Sequence, residues 1–302
     1  MINNYIPVVF CFDEKFASYA AVATYSAFLN SITPIKFYWV IPIKALSEVT
    51  SVKEKLPNAD INIVIITVDD SPFESWKEMH HIKRASYLRL LIPDTVMENK
   101  AIYLDCDIIV QSDLSLLFST NLGDNLIAGA ADLDGGALSE VPFSKSDNYI
   151  NCGVLVMNLD GLRKDMFFSK CRAVYEMFSE EVTWCDQCVI NKYAENKKAV
   201  FHSKWNIYVW YIMNHLPLET EKLLHPKNAS ILHFGARIKP WHRSCRPQIA
   251  DAWWKYANML SGLGLKREPY KKERRSLIRR INDSMRKRIA KIKGVWRFLK
   301  KI

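Results

Sequence analysis

Over the first 160 residues, short apolar runs alternate with longer stretches of mixed polarity. The runs IPVVFCF (6–12), KFYWVI (36–41), INIVII (61–66), AIYL (101–104), LIAGAA (126–131) and CGVLVM (152–157) have the length and apolar content of buried strands. Between them, Phe16 to Leu29 is an alanine-rich helical stretch and 44–55 has helical spacing. Residues 80–91 read as a helix that ends before Pro93. Strands alternating with helices predict an α/β fold with a mainly parallel sheet. Ligands in such sheets bind outside the carboxyl ends of the strands. Asp13 follows the first run, Asp105 and Asp107 a middle one, and Asp132 follows LIAGAA, so carboxylates stand where a polar ligand or metal would sit. Residues 133–150, with Gly135, Gly136, Pro142 and several serines, read as a loop and a candidate lid. A short helical segment is expected near 247–262.

The stretch AIYLDCDIIVQ (101–111) poses the sharpest question, because Asp105 and Asp107 interrupt an otherwise apolar run. A buried carboxylate is costly unless something compensates it. In extended backbone the two would share a face, and their repulsion would raise one pKa. A divalent cation such as Mg²⁺ or Mn²⁺ removes that conflict, since it takes oxygen ligands from one or two carboxylates together with substrate phosphates. A solvated turn at a strand end is the other reading. No GxGxxG and no P-loop is present, which excludes those dinucleotide and nucleoside-triphosphate fingerprints.

Of the 302 residues, 49% are apolar, enough for a sizeable core, and no 18-residue apolar run is long enough to span a membrane. The start, MINNYIPVVFCF, has neither a basic n-region nor a small-residue cleavage site, so no secretory signal is expected. Seven cysteines, an odd number in apolar surroundings, favour reduced thiols. Cys185 and Cys188 form a lone CxxC with no second pair to complete a zinc site. The net charge of +10 lies almost wholly beyond residue 265: residues 266–302 hold 16 Lys/Arg against Glu268, Glu273 and Asp283, a balance of +13, which leaves −3 for residues 1–265.

Five motifs stand in order: RASYLRLLIP (84–93), YLDCDIIV (103–110), Asn151-Cys152-Gly153, WCDQC (184–188) and LHFGARIKPW (232–241). Together they resemble glycosyltransferase family 8, the retaining sugar-nucleotide transferases, over roughly residues 6–255. The resemblance implies a GT-A, Rossmann-like nucleotide-sugar transferase domain with a mixed, mainly parallel sheet. It implies that Asp105, Asp107 and His233 bind a divalent cation, manganese or magnesium, and that Lys239 meets the diphosphate of UDP-glucose or UDP-galactose. Gly235 would let backbone approach the phosphates, with Ala236 where several relatives have the glycine. Asp13 would lie near the nucleotide, beside Lys15 where relatives often have asparagine, and Phe16 would stack on the base. Arg89, Asn151 and Gly153 would adjoin the donor sugar. Asp186 and Gln187 would stand at the reaction centre, with Asp132 as an alternative catalytic carboxylate. Cys11, Phe12, Cys106 and Cys152, which frame these motifs, are expected along the same pocket.

In residues 266–302 the apolar positions Leu277, Ile278, Ile281, Met285, Ile289, Ile292, Trp296 and Leu299 follow one helical face, with Lys and Arg on the other. Such a tail suits an anionic membrane surface; a nucleic acid or a second copy of the chain are the rival partners. The expected organisation is a transferase domain over 1–265 and a membrane-associating tail over 266–302, peripheral on the cytoplasmic face. The expected reaction moves a hexose to lipopolysaccharide or another cell-envelope glycan. The aromatics Trp205, Tyr208, Trp210 and Tyr211 are candidates for stacking on acceptor sugars, or for a core cluster. A non-catalytic UDP-sugar-binding protein, a transferase acting on protein-linked glycan, and a nucleic-acid-binding protein stay open as alternatives.

Overall fold

The computed structural model describes residues 4–79, 83–132, 149–209, 229–235 and 237–271. Residues 133–148 of the loop expected over 133–150, Trp210, Tyr211, Ala236 and the tail from 272 lie outside them, and Ile150, expected in that loop, already belongs to a strand.

The main sheet has seven strands in the order β3-β2-β1-β4-β7-β6-β8. They are β1 (Ile6–Cys11), β2 (Ile35–Pro42), β3 (Asn62–Val68), β4 (Lys100–Leu104), β6 (Ile127–Ala131), β7 (Ile150–Asn158) and β8 (Lys198–Phe201). Strand β7 alone runs antiparallel to its neighbours β4 and β6; the other pairings are parallel. Every residue of β1 is buried because the sheet is covered on both faces, which is why its sequence is an unbroken apolar run. Alternation still operates inside that run: Ile6, Val8, Phe10 and Phe12 join one apolar cluster, Val9 and Cys11 the opposite one. Helix α1 (Ala17–Asn30) covers the first face, and its buried alanines let it lie close to the sheet.

A smaller sheet, β5 (Ile108–Val110), β10 (Ile231–His233) and β9 (Ile207–Tyr208), stands beside the main one. Strands β4 and β5 therefore belong to different sheets, and Asp105-Cys106-Asp107 is the turn that carries the chain across. Helix α1 fixes β5 from behind: the Ser26 hydroxyl accepts from the Val110 amide at 3.0 Å, and the Asn30 amide donates to the Val110 carbonyl at 3.2 Å. Short helices α2 (Leu46–Glu54), α3 (Ile92–Thr95) and α4 (Ser115–Phe118) follow, then α5 (Leu159–Lys164), α6 (Phe167–Phe178) and α7 (Cys185–Tyr193) pack below the other face.

Three expectations change. Where a helix was expected over 80–91, Arg84–Leu91 is 3-10 helix that runs into α3, with Pro93 in the first turn of that helix rather than beyond its end. Proline is tolerated there because first-turn N–H groups have no intrahelical acceptor. The expected helix over 247–262 is α8 (Pro247–Ala257) followed by a separate 3-10 turn, Ser261–Leu263. Trp205 is buried in the core, so it is not available for stacking on a sugar. Residues 266–271 lie back against the body: Arg267 pairs with Asp251 at 2.7 Å and the Lys271 amide reaches the Arg243 carbonyl at 2.8 Å. All seven cysteines are buried free thiols, and among the described residues no helix is long and apolar enough to cross a membrane.

Candidate functional site

A cleft opens at the carboxyl ends of β1 and β4. Sixteen of the seventeen residues expected from sequence line it; Cys152 does not. The Cys152 side chain is buried in the core, and only its backbone serves the site: its N–H donates to Gln187 Oε1 at 3.1 Å and its carbonyl accepts from Arg89 at 2.7 Å.

On one wall, β10 lies antiparallel to β5 with His233 opposite Ile108. That register brings His233 Nε2 to 3.4 Å from Asp107 and 3.6 Å from Asp105. One ligand atom from each of the three lies within 4.8 Å of the others. Lys239 donates to Asp107 Oδ2 and, at 3.1 Å, to the Phe234 carbonyl. Burial alone would push the Asp107 carboxyl up, but the Lys239 ammonium and His233 outweigh it and hold the group well below the usual carboxylate range. Two glycines make room for the imidazole. A Cβ at Gly153 would lie 2.2 Å from His233 Cε1, and one at Gly235 would lie 2.8 Å from Nε2 and 2.4 Å from the Tyr208 ring.

Next to the acidic turn stands Arg89, which is 5% exposed and lies over the Tyr103 ring at 4.4 Å. Its guanidinium reaches Asp105 at 2.8 Å, Asp186 at 2.9 Å and the Ser86 carbonyl at 2.9 Å, besides Cys152. Every nitrogen of the guanidinium is thus engaged by protein. Arg89 orients the two carboxylates of Asp105 and Asp186 while itself lining the cleft. Burial pushes the Asp186 carboxyl up despite the Arg89 charge. The Gln187 side-chain amide is fixed at both ends, accepting from Cys152 N–H and donating to Asp132 at 2.9 Å. Asn191, one turn along α7, bonds both the N–H and the carbonyl of Ile150, at 2.9 and 2.8 Å, and so ties that helix to the start of β7. Cys185 opens α7 at φ 48, a left-handed conformation that costs a side-chain-bearing residue about 1–2 kcal/mol and turns the chain immediately before Asp186.

Beyond the end of β1, Asp13 caps a 3-10 turn by accepting from the Lys15 amide at 3.1 Å, and half-burial pushes its carboxyl up. Phe16 lies edge-on to Tyr19 and Trp241, and those two stack at 3.7 Å. Tyr208 lines the cleft edge-on to His233 at 5.5 Å. Lys83, Ala85, Ser86 and Trp184 also line it. None of these four was singled out from sequence, although Ala85, Ser86 and Trp184 lie within the five motifs and Lys83 adjoins one; nor was Tyr103, whose hydroxyl donates to Asp105 at 2.6 Å. Asn206, whose amide meets His233 Nδ1 at 2.9 Å, was missed as well.

A mainly parallel sheet with an acidic turn, an imidazole and an ammonium converging beyond its strand ends is the arrangement of a GT-A glycosyltransferase domain. The sequence profile of glycosyl transferase family 8 matches residues 7–245, and the chain belongs to that family. Among solved structures, the galactosyltransferase LgtC in complex with donor and acceptor sugar analogues superposes with a TM-score of 0.74 at 25% identity, over 85% of this chain and 96% of LgtC. GlyE of Streptococcus pneumoniae superposes at 0.65 with 22% identity, over 90% of this chain and 66% of GlyE, and shares the fold. The probable glycosyl transferase Gly of Streptococcus gordonii is 29% identical over 225 residues, 74% of this chain and 31% of Gly. General stress protein A of Bacillus subtilis is 26% identical over 210 residues, 65% of this chain and 72% of that protein. The chain spans 30% to 50% of the length of Gly and the pneumococcal GlyE, GlyF and GlyA.

Proposed function

We propose that this chain transfers a hexose, glucose or galactose, from a UDP-sugar to lipopolysaccharide or another cell-envelope glycan, with retention of anomeric configuration and with a divalent cation. The observation that carries the reading is the convergence of Asp105, Asp107, His233 and Lys239 in one cleft that Asp186 and Gln187 also line.

The donor set suits a divalent cation. Two carboxylate oxygens and an imidazole nitrogen match what Mn²⁺ accepts, and Gly153 and Gly235 leave space around the imidazole that any Cβ would fill. Asp105, Asp107 and His233 would hold the cation, which when bound would offset the negative charge that develops on a departing diphosphate. Lys239 adds a compact cation to the same wall, suited to phosphate oxygens. Arg89 holds the Asp186 carboxylate in place to accept from donor hydroxyls. The Gln187 amide, clamped between Cys152 and Asp132, is a poor nucleophile. The favoured path is therefore same-face attack by the acceptor hydroxyl through an oxocarbenium-like state, with the leaving phosphate taking the proton. The basic tail supports an acceptor at an anionic membrane.

The test is UDP release from a panel of UDP-sugars with Mn²⁺, with and without EDTA, followed by NMR of the product anomer. Turnover of one hexose donor that EDTA abolishes, with a retained anomer, is expected. Binding without turnover, or an inverted product, overturns the reading.

A further inference from the structure

The orientations of two side-chain amides and one imidazole can be read outward from a single backbone N–H. The Gly153 N–H can only donate, so the Asn151 side-chain atom 3.0 Å from it is the carbonyl oxygen Oδ1. The Asn206 atom 2.9 Å from that oxygen must then be the donor Nδ2. The other end of Asn206 is therefore Oδ1, and the His233 Nδ1 that lies 2.9 Å from it must carry a hydrogen. In the neutral ring this leaves the lone pair on Nε2, the atom that faces Asp105 and Asp107. At the far end of the chain, Asn151 Oδ1 takes both hydrogen bonds, so its Nδ2 hydrogens remain for the cleft that Asn151 lines.

We propose that Asn206 is a positioning residue that sets two groups at once: His233 as an acceptor towards a divalent cation, and Asn151 as a donor towards the sugar nucleotide. The proposal rests on the reading of the cleft as a nucleotide-sugar site. Asn206 is suited to the task. It is 5% exposed, its own N–H is held by the Ser203 carbonyl at 2.8 Å, and it immediately precedes β9, which pairs with the strand that carries His233. Without it the imidazole is free to take the other tautomer, whose Nε2 hydrogen would point at the place where the cation must bind. Groups that orient metal ligands in this way generally matter 10–100-fold for metal affinity.

Two substitutions separate the two roles. Asn206→Ala removes both contacts. Asn206→Asp still accepts from His233 Nδ1–H but cannot donate to Asn151, whose carbonyl would then face a carboxylate oxygen and lose its orientation. Mn²⁺ alone is titrated into EDTA-treated full-length protein and followed by the EPR signal of free Mn²⁺. UDP-glucose and UDP-galactose are then titrated at saturating Mn²⁺. Asn206→Ala is expected to weaken Mn²⁺ binding by about 10–100-fold, whereas Asn206→Asp stays close to wild type. Both should weaken UDP-sugar binding, by about tenfold for one lost hydrogen bond. Imidazole ¹⁵N shifts of the metal-free protein should show His233 as the Nδ1–H tautomer in wild type and Asn206→Asp, and a mixture in Asn206→Ala.

Wild-type Mn²⁺ affinity in Asn206→Ala overturns the proposal. So does an Asn206→Asp protein as impaired for Mn²⁺ as the alanine variant, which would mark a merely structural residue. Should Asn206→Ala not fold, Asn206→Ser takes its place in the same comparison. If the wild-type protein binds neither Mn²⁺ nor UDP-sugar, the reading of the cleft fails, while the ¹⁵N spectra still decide whether Asn206 sets the tautomer.

Discussion

Adding one methyl group at Gly153 tests how tightly the cleft is built around its imidazole. Gly153 lies within extended β7, so alanine meets no backbone penalty there, and any effect comes from space alone. The new Cβ would stand 2.2 Å from His233 Cε1, 2.8 Å from Nδ1 and 2.9 Å from Asp105 Oδ2. Carbon atoms in good contact sit about 3.5–4.0 Å apart, so the ring must retreat by about 1.5 Å. Retreat is opposed from two sides: Asn206 holds Nδ1 at 2.9 Å, and Tyr208 lies edge-on to the ring. Overpacking of this kind costs about 1–3 kcal/mol, or a fall in Tm of about 2–4 °C per kcal/mol for a domain of this size. The functional loss is expected to be larger than the structural one, because misplacement by about 1 Å can cost 10²-fold in rate. The assay is kcat/KM for UDP release beside a thermal melt and a Mn²⁺ titration of the same preparation. A drop of about 10²-fold in kcat/KM with weakened Mn²⁺ binding and a folded protein is the expected result. A Gly153→Ala enzyme with wild-type kcat/KM and Mn²⁺ affinity refutes the claim that His233 is packed into its place.

Other perturbations probe other links. Arg89→Met leaves buried Asp186 without its cation, so a loss of about 3–5 kcal/mol in urea unfolding is expected together with lost turnover, and an unchanged unfolding midpoint would contradict the pairing. Lys239→Met should weaken UDP binding while leaving a fold that melts cooperatively, and calorimetry showing unaltered UDP affinity would exclude a diphosphate role. Partial burial pushes the Asp165 carboxyl up, but Lys170, Lys197 and Tyr193 hold it well below its usual range. Their stabilisation is present above the unfolded value near ~3.9 and is lost as pH falls below it. The Tm gap between wild type and Asp165→Asn should therefore narrow between about pH 5 and 3, and a constant gap would exclude the network's contribution. Sedimentation with anionic liposomes should be lost on truncation after Lys271, a cut that keeps the Arg267–Asp251 pair; unchanged partitioning would exclude the tail as the membrane contact.

Six of the seven strands of the main sheet were legible as apolar runs, because the sheet is covered on both faces; β8 (Lys198–Phe201) was not, since it is short, begins with a lysine and is only partly buried. Of the residues that line the cleft, Asp13, Asp105, Asp107 and Asp132 were legible because they stand at the ends of those runs, whereas Arg89, Asp186, Gln187, His233 and Lys239 were expected only from the resemblance to family 8. The division between β4 and β5 was not legible, since Ile108, Ile109 and Val110 continue the same apolar pattern and only their partners Ile231 to His233, more than 120 positions away, show that they belong to a second sheet. The 3-10 geometry of Arg84–Leu91 was equally hidden, because its buried residues Tyr87, Leu88 and Leu90 also suit an α-helix. Arg89 shows a subtler limit. Its motif announced a functional arginine, but only coordinates show that the fork is fully engaged by Asp105, Asp186 and two carbonyls. Asn206 and Asn191 carried no signal at all, for an asparagine in sequence does not reveal which buried donors and acceptors it will satisfy.

The most direct measurement is a calorimetric titration of UDP into EDTA-treated full-length protein, with and without Mn²⁺. If two carboxylates and an imidazole grip a cation that in turn grips a diphosphate, UDP affinity rises by at least about tenfold with Mn²⁺, and substituting Asp107→Asn or His233→Ala abolishes the rise. Equal UDP affinity in the presence and absence of the ion, or a Mn²⁺-dependent rise that survives both substitutions, would contradict the account.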